Sequence, residues 1–207
     1  MTTSAIFPAG RVDWSGENPG IYLKESPDGP WVTLMVFFRV FLSPHGRGHA
    51  LVLLEAPFVR ESRPGALNVC VTDNEPLTRW LVSEFVSKFA SFRGVPALES
   101  MEYRRLTGVG TEGDQRASHV EWVKADGLAA RLSWEGLGEP FMVVLPVEKS
   151  STGRHEMYSL FVEAGRVTVT VNGRPVKGHP IVRDFLGRRM SSAFLAFSET
   201  WVRPPPP

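Results

Sequence analysis

Apolar and polar residues alternate over short stretches along most of this chain. A two-residue period marks strands, because successive strand side chains point to opposite faces. Trp31–Leu42 departs from alternation: it is almost wholly apolar, β-branched or aromatic, which predicts a strand buried on both faces. Ala50–Val59 and Ala66–Thr72 predict two more strands, set apart by turns at Ser43–Gly48 and Ser62–Gly65. The second half predicts Ser100–Leu106, Ser118–Ala125, Leu128–Glu135, Pro140–Glu148, Glu156–Glu163, Arg166–Asn172 and Ala193–Val202. Asp126-Gly127 and Ala164-Gly165 read as hairpin turns, since glycine accepts positive φ.

One segment has a different period. After Asp73 and Asn74, either of which suits a helix N-cap, Leu77, Trp80, Leu81, Phe85 and Phe89 recur at three- and four-residue spacing. Glu75 and Pro76 suit a first helical turn, and Gly94 and Pro96 suit a stop. One main helix over about 74–92 is predicted, covering a mouth of a closed or nearly closed antiparallel β-barrel or double-layer sheet. The fold class is mainly β (α+β). Residues 1–30, rich in Gly, Pro, Ser and Asp, predict an irregular arm. Residues 31–202 form one barrel-like domain, and 203–207 a proline-rich tail.

Composition narrows the class. The chain has 207 residues, 43% hydrophobic, enough for a real core. Its formal net charge is +1 with no basic run, which argues against a nucleic-acid partner. The longest apolar run is shorter than the about 20 residues of a membrane helix, and no signal peptide is visible, so a cytoplasmic protein with no membrane partner is expected. The single cysteine, Cys70, lies in an apolar run and reads as a small buried hydrophobe.

Three charges fall in phase with apolar neighbours: Arg39 with Met35 and Phe37, Glu55 within "LVLLEAPF", and Glu199 with Leu195, Phe197 and Trp201. A buried charge is costly unless paired. Each therefore marks a structural pair, a wet strand face, or a polar cavity in which Arg39 binds a ligand carboxylate. None of the five histidines has zinc spacing, and no P-loop or Gly-x-Gly-x-x-Gly is present, so neither metal nor cofactor is expected. Lys88 lies one turn beyond Glu84 and reads either as an i,i+4 ion pair or as an imine-forming amine.

The run Asp73-Asn74-Glu75-Pro76 between a strand and a helix resembles the acetoacetate decarboxylase superfamily. Upstream, "APFVRESRPG" is similar to that family's aromatic-plus-glutamate segment, which implies Glu61, or else Glu55, as the acidic active-site residue. Downstream, "GVPALESMEY" resembles the segment after the helix, so the resemblance spans roughly residues 50–105. The family's Gly-Arg-Glu becomes Val82-Ser83-Glu84, and no Pro-Lys occurs; Ala97 stands at the Schiff-base lysine position. The resemblance implies a barrel that binds a small organic acid or ketone without an imine. The alternatives are a non-enzymatic, lipocalin-shaped binding or structural barrel, and a lyase using Lys88. Exposed strand edges would favour a homo-oligomer.

Overall fold

The computed structural model describes residues 9–59 and 66–205. It is mainly β, with a closed nine-strand barrel and one main helix. Residues 11–24, expected as an irregular arm, form two strands, β1 (Arg11–Glu17) and β2 (Gly20–Lys24). They share one place in the barrel wall. β1 pairs with one end of β14 (Ala193–Arg203) and of β3 (Trp31–Leu42), and β2 with the other end of both. Gly16 hides the strand from a composition reading and makes it possible, because a Cβ there would lie 2.1 Å from the Arg39 carbonyl oxygen.

From β3 the wall continues through β4 (Gly48–Leu54), β5 (Asn68–Thr72), β6 (Glu102–Glu112), β7 (Ser118–Ala125) and β8 (Leu128–Leu137). It closes through β10 (Glu156–Val171), which pairs with β8 along its second half and β14 along its first. β9 (Phe141–Leu145) adds an edge beside the first half of β10. Asp126-Gly127 is a two-residue hairpin turn, Gly127 having φ +63°. Ala164-Gly165 is not a turn: β10 runs straight through it, and the glycine sits where the strand exchanges β9 for β8. Residues 174–191 carry three short strands that the pattern reading left unassigned. β11 (Arg174–Pro175) lies on β10, and β12 (Val182–Phe185) pairs with β13 (Arg188–Ser191) in a separate hairpin. The expected tail begins inside β14, where Arg203 binds Asp13 at 2.6 Å.

The sheet separates two apolar layers. Ile21, Met35, Phe37, Leu51, Val71 and Trp134 fill the barrel interior. Leu34, Val36, Phe38, Val52, Leu54 and Cys70 face outward and lie beneath helix α1 (Glu75–Glu84). The Trp31–Leu42 strand is accordingly buried on both faces over most of its length, and burial pushes the Cys70 thiol pKa up.

β5 and β6 pair in parallel, an exception to the expected antiparallel barrel. Parallel neighbours need a crossover, and α1 with the short α2 (Ala97–Ser100) supplies it. The helix therefore packs on the outer wall, not over a mouth. It stops at Glu84 instead of reaching 92, followed by a tight 3-10 turn at Val86–Lys88. A three-residue turn keeps nearly the same apolar spacing, which is why periodicity alone extended the helix. Asn74 is the N-cap, its side-chain oxygen accepting the Leu77 N–H at 3.1 Å, while its amide donates to the carbonyls of His45 and Arg47. Asp73 instead accepts from the His49 N–H at 2.6 Å. Among the described residues no helix is long and apolar enough to cross a membrane.

Asn74→Ala loses the cap and both carbonyl contacts, and is expected to cost about 2 kcal/mol in urea unfolding. Asn74→Asp, which keeps only the acceptor, should cost less.

Candidate functional site

The outward faces of β2, β10 and β14 are not all covered by α1. Where the helix stops, a cleft of about 330 Å³ opens between the segment 89–93, the β12–β13 hairpin and residues 149–151. Its aromatic lining is continuous. Phe185 stacks on Phe161 at 5.5 Å, Phe161 on Phe194 at 5.1 Å, and Phe194 meets Tyr22 edge-on at 5.5 Å. The hairpin is held by its buried Met190, by an Arg188–Glu163 ion pair at 3.1 Å, and by Arg188 lying 4.0 Å over the Phe141 ring.

Glu199 forms the floor. Parity places it inside the barrel, but β14 carries a bulge: between the pairs Leu160↔Phe197 and Tyr158↔Thr200, two β14 residues oppose one on β10. Ser198, at φ +51°, is part of that extra length. Leu195 belongs to the interior layer, whereas Trp201 belongs to the outer one and Glu199 lines the outer cleft. Its Oε1 accepts from Trp201 Nε1 at 2.7 Å and Asn18 Nδ2 at 3.2 Å. Burial outweighs both bonds and pushes its pKa up to about 7.

Arg183, on β12, enters the same cleft. Its guanidinium lies 5.3 Å from the Tyr22 ring and 5.5 Å from Phe185. Among the described residues its Nε is buried without a partner, as is Asn18 Oδ1. Burial lowers the Arg183 pKa, yet a guanidinium stays charged at neutral pH. The cleft thus offers an unmatched cation, a carboxyl able to donate, and an amide oxygen able to accept.

The expected site residues lie apart. Arg39 does point inward with Met35 and Phe37, but its guanidinium is already engaged. It pairs with Glu17, binds both oxygens of Glu121 at 2.9 and 3.0 Å, and donates to Thr111 at 2.6 Å. Glu121, fully buried, also meets His119 Nε2 at 3.0 Å. Glu55 closes the β4 end, binding Arg174 at 2.8 Å and the Leu67 N–H at 3.1 Å. Lys88 is exposed in the 3-10 turn, and Glu84 pairs with Arg154 instead of Lys88. Glu61 lies outside the described residues. Ala97 is fully buried, its N–H bound to the Pro57 carbonyl at 3.2 Å.

A third buried group joins Asp13, His155 and Thr152. His155 bonds Asp13 at 2.8 Å through Nε2 and Thr152 at 2.9 Å through Nδ1. These residue types match a hydrolytic triad, but neither Thr152 nor His155 lines the cleft. Burial opposes the Asp13 charge, but bonds from His155, Arg203 and Arg11 prevail and hold its pKa low. The group ties β1 and β14 to the loop before β10.

No protein-family model matches the chain, and neither the curated proteins nor the solved structures include a significant match to it. The missed residues are Asn18, Tyr22 and Arg183. The signal for Arg183 was present: Leu186-Gly187, flanked by the alternating Val182-Arg183-Asp184-Phe185, is a hairpin pattern.

Two measurements check this electrostatic picture. Arg39→Met strands the buried Glu121 and should cost on the order of 3 kcal/mol in urea unfolding, more than Arg39→Met/Glu121→Leu. For Glu199, the folded pKa of about 7 lies above its ordinary value of 4.5. Its protonated form is thus favoured in the folded state, and the stability it contributes is fully present below about 4.5 and lost as pH rises to 7. Wild type should lose on the order of 3 kcal/mol relative to Glu199→Gln between those limits.

Proposed function

We propose that the outer cleft binds a small organic acid with a flat apolar body. The observation that carries this reading is Arg183, a largely buried guanidinium that forms no ion pair and has an unpartnered Nε among the described residues, set between two aromatic rings on an apolar cleft wall. A cation so placed is costly alone, and a ligand carboxylate meets its planar donors in the geometry that guanidinium prefers. Protonated Glu199 donates to a second ligand oxygen, and Asn18 Oδ1 accepts from a ligand hydroxyl or amine. A keto acid satisfies the first two groups together. The resemblance to the acetoacetate decarboxylase superfamily supports the same ligand class, with binding that needs no imine because Ala97 replaces the lysine. Arg183 takes the role expected of Arg39, whose two terminal nitrogens bind Glu17, Glu121 and Thr111.

The test is calorimetric titration with 3-phenylpropionate. Binding at pH 6 should weaken roughly tenfold or more in Arg183→Gln, the range of a lost charged hydrogen bond. Affinity should fall as pH rises through about 7, because ionised Glu199 repels the carboxylate, and Glu199→Gln should flatten that dependence. Equal affinity of wild type and Arg183→Gln would overturn the proposal.

A further inference from the structure

We infer that the ligand carries a second anionic group, held at the cleft mouth by Arg93 and Lys149. This rests on the acid-binding reading of the same cleft and specifies its ligand as a two-headed acid with an apolar middle.

Among the described residues three cations line the cleft, and they differ in depth. Arg183 is largely buried between rings, whereas Arg93 and Lys149 are exposed. The two outer cations come from different elements. Arg93 follows the 3-10 turn after α1, and Lys149 ends a second 3-10 turn, Val147–Lys149, before β10. Arg93 is partly fixed by its own bond to the Lys88 carbonyl at 3.3 Å. Two acids on neighbouring elements are paired with other arginines. Glu84 pairs with Arg154 and Glu163 with Arg188. Asp184 lines the cleft but accepts the Gly187 N–H of its own turn at 3.2 Å. Glu148 precedes Lys149 in the chain but does not line the cleft. Glu199, the remaining acid, is at the floor.

The cleft thus has one inner cation set among the aromatic rings and two exposed cations on its outer lining, against one exposed acid, Asp184. Such a field favours a ligand that is negative at both ends, and the outer station acts through solvent, so its strength depends on salt. A ligand with one carboxylate fills only the inner station.

The experiment compares 3-phenylpropionate with 3-(4-carboxyphenyl)propionate by calorimetry at low salt, using wild type, Arg93→Ala/Lys149→Ala and Arg183→Gln. Circular dichroism checks that each variant is folded. The dianion should bind wild type roughly three- to tenfold more tightly, the range that two exposed ion pairs supply. That gain should vanish in Arg93→Ala/Lys149→Ala and shrink in about 1 M salt. Arg183→Gln should weaken both acids. A dianion that binds no tighter than the monoanion, or a gain that survives the double substitution, overturns the two-headed ligand while leaving the acid site intact. Failure of both acids to bind wild type overturns the acid site and this inference together.

Discussion

The seam between β10 and β14 closes the barrel, and one extra residue in that seam decides what the outer surface holds. Before the bulge at Ser198, alternate β14 side chains alternate between interior and exterior in the usual way. After it, the phase is inverted. Glu199 and Trp201 are carried to the outer layer, where an indole N–H and an amide meet one carboxyl oxygen. Without that shift the glutamate would enter the interior, where Arg39 is already paired with Glu17 and Glu121 and a further buried carboxyl is costly. The bulge therefore places an ionisable group in the cleft and spares the interior from it.

Two half-buried arginines show how much the neighbours of a charge matter. Arg39 reaches the interior together with Glu17 and Glu121, and the desolvation of each charge is offset by direct pairing and by Thr111. Both carboxylates of that cluster already bind the Arg39 guanidinium. Arg183 has rings on both sides and no ion pair among the described residues. Ring contacts stabilise a guanidinium by about 0.5–2 kcal/mol, less than the cost of removing it from water, so the deficit remains until an anion arrives. The same residue type thus serves as internal structure in one place and as recognition chemistry in the other.

The helix belongs to the same logic. It exists because β5 and β6 are parallel and the chain must cross between them, and its length sets where the outer layer is covered. Leu77, Leu81 and Phe85 seal β3, β4 and β5. Phe85 sits among Trp14, Trp80, Trp201 and His155, and there the helix ends. The surface left beyond it over β2, β10 and β14 becomes the cleft.

Much of this was legible in the chain. The Trp31–Leu42 strand, the Asp126-Gly127 hairpin, the cap at Asn74 and the mainly β barrel follow from local spacing, since side-chain direction along a regular element depends only on residue number. The same rule correctly pointed Arg39 inward. It failed where an element is irregular. A bulge adds a residue that no pattern marks, which moved Glu199 to the opposite face; a glycine inside a continuous strand looks like a turn, which divided β10; and close strand approach at Gly16 looks like a loop, which concealed β1. The cleft itself was not legible. Asn18, Arg183 and Glu199 are far apart in the chain, and each is ordinary alone. Local sequence determined which elements form and which residues they bury. Only tertiary structure decided which charges find partners, because pairing depends on what other strands bring alongside.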